Sequence, residues 1–220
     1  WQGKLIWGTL DGRLVAIDAK KGTKVWETLT IPEGEPMSIT GAPRVGNGIV
    51  FIGQAGAEFH QRGFMSAYDA KTGKQLWKFF LAPGDPSKGP DGAASDNVME
   101  MAAKTWTGEW WKHGGGGTVW HAMAYDTKFN RLYIGGGNGA PWNHKVRSPG
   151  GGDNLFLSSI IALDADTGAL KWHYQFTPHD THDWDATEVP VLADKVIGGV
   201  SRKVLLFANR NGFYYTLDRT

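Results

Sequence analysis

The segment Ala162-Leu-Asp164-Ala-Asp-Thr-Gly168-Ala-Leu-Lys-Trp172 decides the fold, because its spacing recurs as Ala16-x-Asp18-xxx-Gly22-xxx-Trp26 and Ala67-x-Asp69-xxx-Gly73-xxx-Trp77. Three identical Ala-x-Asp-xxx-Gly-xxx-Trp spacings mark an internal repeat. In each copy an apolar stretch, such as Leu14-Val-Ala-Ile17, precedes the Asp and a second, such as Thr23-Lys-Val-Trp26, follows the Gly. This pattern predicts two strands joined by a hairpin, with Asp bonding nearby amides and Gly at the tight position. A degenerate copy, Ala124-Tyr-Asp126-Thr-Lys-Phe-Asn130-Arg-Leu-Tyr133, has Asn130 for the left-handed position and Tyr133 in place of the Trp. The copies lie about 40 to 55 residues apart, the period of a four-stranded propeller blade. Trp26, Trp77 and Trp172 are then expected to be staples between blades, since a flat ring reaching the next sheet buries area that one sheet cannot.

The remaining composition agrees with an all-β chain. With 31 Gly and 11 Trp in 220 residues, short strands and tight turns are favoured over helices. The longest apolar runs, such as Gly48-Ile-Val-Phe-Ile-Gly53, are too short to span a bilayer, so no transmembrane segment is predicted. A net charge of +1, with pairs such as Lys20-Lys21 isolated on turns, speaks against nucleic acid. The absence of cysteine removes thiol catalysis and thiolate zinc. The last copy, Tyr214-Tyr-Thr-Leu-Asp218-Arg-Thr220, lacks its Gly and Trp, and the chain opens on Trp1 within a strand-like stretch. Residues 1–220 are therefore expected to be a propeller domain of about four blades, truncated at both ends.

Two insertions interrupt the repeat, between Ala82 and Gly117 and between Gly135 and Leu155. Their Gly, Pro, Asp and Asn content predicts loops gathered over one end of the blades, where a ligand would bind. The acidic stretch Thr177-Pro-His-Asp-Thr-His-Asp-Trp-Asp-Ala-Thr-Glu188 is either a solvated turn or a place where carboxylates face a cation or a reacting proton. Thr40, Glu58, Asn138 and Trp120 each have two readings as well. They are a turn hydroxyl, a surface charge, a left-handed turn residue and a further staple, or they are parts of one site. The glycine runs Gly114–Gly117 and Gly135–Gly137 are read as letting backbone approach a flat ligand closely.

Taken together, Gly56-Ala-Glu58-Phe-His-Gln-Arg62-Gly63, Gly114-Gly-Gly-Gly-Thr-Val-Trp120, Gly137-Asn138-Gly-Ala-Pro-Trp142-Asn143, Thr177-Pro-His-Asp180 with Asp183, and the repeat resemble the pyrroloquinoline quinone (PQQ)-dependent alcohol dehydrogenases. Thr105-Trp-Thr-Gly-Glu-Trp-Trp111 and Asp153-Asn-Leu-Phe-Leu-Ser-Ser159 resemble the quinoprotein and quinohaemoprotein ethanol-type enzymes more than methanol dehydrogenase proper. The resemblance implies an eight-bladed propeller with PQQ at the channel mouth. It implies Trp120 beneath the quinone, Thr40, Gly56, Ala57 and Thr118 around the cofactor's edge, and Arg210 near its oxygens. Glu58 and Asn138 match metal ligands and Asp183 the catalytic base. It further implies calcium or a lanthanide ion, a small alcohol as substrate, a cytochrome c-type electron acceptor and a periplasmic location. Asp185, two positions after the base, adds a carboxylate that suits a trivalent ion and turns the expectation toward a lanthanide. His182 and His60 depart from the family pattern, which usually has Trp and Gly there. Three alternatives are a non-catalytic propeller scaffold, a metal-dependent hydrolase using His179, Asp180, His182 and Asp183, and a PQQ enzyme for sugars or aldehydes.

Overall fold

The structure, a computed structural model, describes residues 1–220. In chain order the strands are β1 (Lys4–Gly8), β2 (Arg13–Asp18), β3 (Lys24–Leu29), β4 (Arg44–Gly46), β5 (Ile49–Gly53), β6 (Phe64–Asp69) and β7 (Gln75–Phe80). Helix α1 (Asp96–Ala103) and the short β8 (Gly115–Gly116) follow, then β9 (Met123–Asp126), β10 (Arg131–Gly135) and β11 (Gly139–Ala140). The chain continues through α2 (His144–Arg147), β12 (Ser159–Asp164), β13 (Leu170–Gln175), β14 (Val191–Ile197), β15 (Val200–Ala208) and β16 (Tyr214–Asp218). Four antiparallel sheets result: β1-β2-β3, β4-β5-β6-β7, β9-β10-β12-β13 and β14-β15-β16, with β8 and β11 forming a separate ribbon.

The sheets stack as consecutive blades, and each interface is an apolar cluster. Leu14, Trp26, Val50, Ile52 and Phe64 fill the space between the first and second blades. Phe51, Met65, Trp77, Phe79, Leu132 and Ile161 fill the second interface, and Tyr133, Ile160, Phe176, Leu205 and Phe207 the third. Strand β5 is buried along its whole length because alternate side chains serve two interfaces. That is why Ile49-Val-Phe-Ile52 is a continuous apolar run, where a half-exposed strand would alternate.

The repeat is explained by atoms. Ala16 faces Trp26, Ala67 faces Trp77 and Ala162 faces Trp172, each followed by the same register shift. Asp18, Asp69 and Asp164 accept the backbone N–H groups two and three residues on. The Trp26 indole donates to the Ala70 carbonyl (3.2 Å) and the Trp77 indole to the Ala165 carbonyl (3.0 Å), so each staple grips the residue after the Asp of the next blade. Gly73 has φ 73° and lies so close beneath Trp26 that a Cβ would stand 2.6 Å from the ring. Gly73→Ala in the full-length protein is therefore expected to cost about 1–3 kcal/mol through backbone strain and the displaced ring. Thermal denaturation checks this, with Lys74→Ala as an exposed control.

Two expectations are corrected. The degenerate copy Ala124–Tyr133 forms no blade of its own; it is the β9–β10 hairpin of the blade that also holds the Ala162 copy. It imitates the repeat because Asp126 accepts the Lys128 and Phe129 N–H groups, Asn130 is left-handed (φ 49°), and Tyr133 faces Ala124. Trp172 departs from the other staples: it packs on Tyr133, but its buried indole N–H has no acceptor. The carbonyl in the corresponding place, that of Arg219, is taken by the Tyr133 hydroxyl (2.6 Å) and by Arg131 (3.0 Å).

Connectivity then assigns the two ends of the blades. The Asp turns β2–β3, β6–β7, β9–β10 and β12–β13 lie at one end of the strands, and the antiparallel order places the connections β3–β4, β5–β6, β10–β12, β13–β14 and β15–β16 at the other. The two insertions join this second end and pack on each other. Trp106 donates to the Leu155 carbonyl (2.8 Å) and Trp110 to that of Pro83 (3.0 Å), while β8 pairs with β11.

Candidate functional site

A cavity of about 740 Å³ opens among these connections, and every residue that the family resemblance placed at the cofactor, the ion or the base lines it: Thr40, Gly56, Ala57, Glu58, Thr118, Trp120, Asn138, Asp183, Asp185 and Arg210. They come from six connections that are far apart in sequence. Thr40 lies after the Ser38–Ala55 bridge, which ties the β3–β4 connection to the β5–β6 connection. Gly56 (φ 120°) turns the chain into the single turn Ala57–Phe59, which presents the exposed Glu58.

Four consecutive glycines with positive φ, Gly114 to Gly117, carry the chain from the first insertion to Thr118. The Gly63 N–H bonds the Gly116 carbonyl and the Gly116 N–H the Gln61 carbonyl, while the Gly117 N–H reaches Asn138 and the Gly137 N–H reaches Thr118. These glycines thus bring three protein backbones together, where the sequence suggested approach to a ligand. The result is that Glu58, Thr118 and Asn138 are fixed around one wall. Asn138 has ordinary backbone φ, which removes its reading as a left-handed turn residue. Trp120 is 37% exposed at the cavity, which removes its reading as a further staple.

The acidic loop is no solvated turn. Asp180 is 3% exposed, and its carboxylate accepts the N–H groups of His182 (3.0 Å), Asp183 (3.1 Å) and Trp184 (2.9 Å). This collar holds Asp183 at φ 78°, a conformation rare outside glycine but tolerated best by Asp and Asn. Asp185, 8% exposed, accepts the Asn138 N–H (2.8 Å) on one oxygen and Arg210 Nη1 (2.7 Å) on the other. Arg210 Nη2 is 3.9 Å from Asp183.

Burial pushes the Asp183 carboxyl above the usual range; Arg210 opposes this, and the charges of Asp180 and Glu58 add to it. Asp185 is pushed up to about 6, first by burial and then by Asp183, against the pull of the Asn138 N–H and Arg210. The ion pair with Arg210 therefore offsets only part of the cost of keeping two carboxylates here. Glu58, Asn138, Asp183 and Asp185, whose side chains carry hard oxygen donors, all line this cavity.

The hydrolase alternative loses its residue set. Only His182 and Asp183 of its four residues line the cavity, and the His179 ring bonds the Gly152 carbonyl (2.8 Å) beside His144. No three His, Asp or Glu side chains are grouped to enclose an ion by themselves. The sequence reading missed Ala55, Gly139 and Pro141 as lining residues, and it gave no place to Trp142. Their signal was the motif Gly137-Asn-Gly-Ala-Pro-Trp142 itself, whose side chains follow the candidate ligand along the same wall. The two departures, His60 and His182, both line the cavity, and His182 is stacked on Trp184 at 3.9 Å.

Comparison with known proteins gives a consistent result. The PQQ family described as "Glucose/ethanol/alcohol dehydrogenase, beta-propeller domain" matches residues 1–220. Quinohemoprotein alcohol dehydrogenase ADH IIB of Pseudomonas putida is 56% identical over 221 residues, covering 100% of this chain and 31% of that protein. The crystal structure of quinohemoprotein alcohol dehydrogenase from Comamonas testosteroni superposes with a TM-score of 0.94 at 53% identity, over 100% of this chain and 33% of the other. A europium-containing methanol dehydrogenase gives 0.86 at 36% identity, over 99% and 38%. The chain thus spans about a third of the length of these relatives.

Proposed function

The chain belongs to the PQQ glucose/ethanol/alcohol dehydrogenase β-propeller family, and on that premise we propose that it carries the catalytic face of an enzyme oxidising a primary alcohol to an aldehyde. The observation that carries this reading is the meeting of ten residues from six connections around one cavity. A scaffold would need the Trp staples, but it has no use for Glu58, Asn138, Asp183 and Arg210 together. In this reading residues 1–220 are four consecutive blades of an eight-bladed domain.

When bound, PQQ supplies a two-electron acceptor and the ion a Lewis acid for its carbonyl. Trp120 offers the stacking face, and Thr40, Gly56, Ala57 and Thr118 bound the cofactor's edge. Glu58, Asn138 and the loop carboxylates are the residues that would hold the ion. Asp183 accepts the alcohol's hydroxyl proton as the carbon gives up its hydride. Its half-buried carboxylate stands at the cavity, on a backbone held by the Asp180 collar, where it can meet that proton. Arg210, against both Asp183 and Asp185, would supply positive charge beside the bound acceptor. Electrons then pass to a cytochrome c-type acceptor in the periplasm, a reading supported by the haem in the names of the two quinohemoprotein relatives cited. Incubating the full-length protein with PQQ and metal should give a bound-quinone absorbance and alcohol-dependent dye reduction; absence of both would leave the scaffold reading.

For the ion we propose a light lanthanide. Three carboxylates, Glu58, Asp183 and Asp185, line the cavity against a single arginine, Arg210, whose short ion pair is with Asp185. A trivalent ion gains more from each carboxylate than a divalent one. Metal-free full-length enzyme reconstituted with PQQ and La³⁺ is expected to be at least about 10-fold more active than with Ca²⁺, with the preference lost in Asp185→Ala. Equal activity with calcium in both proteins would show that Asp185 makes no metal-dependent contribution.

A further inference from the structure

Arg147 is the largest fully buried side chain, 1% exposed, and none of its four hydrogen-bond acceptors is a carboxylate, although the charge of Asp180 acts on it from a distance. Its guanidinium is used on neutral acceptors. Nε donates to Asn154 Oδ1 (3.3 Å), Nη1 to the carbonyls of Pro141 (3.1 Å) and Trp142 (3.0 Å), and Nη2 to the Asp180 carbonyl (2.6 Å). Burial pushes its pKa down, a sign of the cost of holding a cation there. A hydrophobic side chain of similar size would avoid that cost, so the arrangement calls for another explanation.

The acceptors supply one. Pro141 and Trp142 continue the wall that begins at Asn138, and both line the cavity. Asp180 is the residue whose carboxylate collars His182, Asp183 and Trp184. Asn154 in turn donates to the Thr105 carbonyl (3.1 Å), which ties in the first insertion. Gly139 leaves no room for adjustment, because any side chain there would run into the guanidinium. One buried cation therefore joins the segment bearing Asn138 to the loop bearing Asp183.

We propose, building on the function read above, that Arg147 is a positioning residue: it clamps the Asn138 wall to the Asp180–Asp185 loop and so fixes the spacing between candidate metal ligand and candidate base. Arginine suits the task because its planar donors reach four acceptors in different directions. A lysine ammonium keeps the charge but has three donors at one point.

The test uses Arg147→Lys in the full-length, cofactor-loaded enzyme. We expect kcat to fall about 10- to 100-fold, the range a displacement near 1 Å produces, with alcohol KM changed less than about threefold and cofactor content retained. In an Asp183→Asn background the same substitution should cost less than about twofold, since no base remains to be misplaced. Independently of activity, amide exchange across residues 179–186 of the cofactor-free protein should accelerate in Arg147→Lys, with β6 and β7 unchanged. If Arg147→Lys does not fold, Asn154→Gly serves, because it removes the side-chain acceptor of Arg147 Nε while glycine tolerates the φ of 57° at that position. It should give the same kcat loss and the same local exchange. A full additive loss in the Asp183→Asn background, or unchanged exchange across 179–186, would overturn the clamp. Near-normal turnover of Asp183→Asn alone would instead overturn the functional reading on which the clamp rests.

Discussion

Asp183→Asn in the full-length protein, loaded with PQQ and metal, is expected to keep its cofactor and lose turnover by about 10²-fold or more, the range for removal of a positioned general base. The geometry makes this substitution unusually clean. Asn tolerates positive φ as Asp does, so the backbone at φ 78° should persist, and the Asp180 collar contacts the Asp183 N–H and leaves the side chain out of the bond. Arg210 keeps its short contact to Asp185 and loses only the 3.9 Å approach to Asp183. What disappears is one anionic proton acceptor in a half-buried place. Single-turnover reduction of bound quinone by alcohol, with cofactor content measured in parallel, checks this. Near-normal rates with bound cofactor would remove Asp183 from the role of base.

How much of this was legible in the sequence depends on the range of the interaction. The Asp turn, the glycine with positive φ and the Ala–Trp pairing are all set within eleven residues, so the hairpins and the all-β class could be read directly. The same locality caused the error at Ala124–Tyr133. The first and second hairpins of a blade use the same turn chemistry, and nothing within eleven residues says which hairpin is which. Only the pairing of β10 with β12, across 23 intervening residues, settles that they share a sheet.

The site divides in the same way. Glu58, Asn138, Asp183 and Arg210 stood out through motifs shared with a family, and they do share a cavity. Arg147 and the collar of Asp180 did not stand out. One is an ordinary basic residue on a four-residue helix and the other one of several aspartates in a row. Their importance comes from burial and from carbonyl partners up to 33 residues away. The glycine run was noticed but given the wrong neighbour, since positive φ predicts close approach without saying what approaches.

Trp77→Ala and Trp120→Ala are expected to separate the two uses of tryptophan in this chain. Trp77 is 5% exposed within the largest apolar cluster, and it bonds Ala165 while its ring packs on Gly168, where a Cβ would stand 2.6 Å away. Gly168 has no side chain that could lean into the space left behind, so the hole should collapse poorly. Truncation of a large buried aromatic in such a setting costs about 3–5 kcal/mol. Trp120 shares no such interface: it is 37% exposed, stands at the cavity, and its nearest aromatic is His121, at 6.1 Å. Its removal should leave thermal stability of the cofactor-free protein within about 1 kcal/mol, as for exposed positions generally. It should instead weaken PQQ retention by about 10-fold or more, because a stacking face worth roughly 1.5 kcal/mol or above is lost. Melting of the apo-proteins and equilibrium dialysis of PQQ measure the two effects separately. Trp77→Ala should fail the first and, where still folded, pass the second. Trp120→Ala should do the reverse. If both variants lose stability and cofactor in parallel, the platform at the cavity and the staple between blades are one structural unit, and the assignment of Trp120 to the cofactor falls.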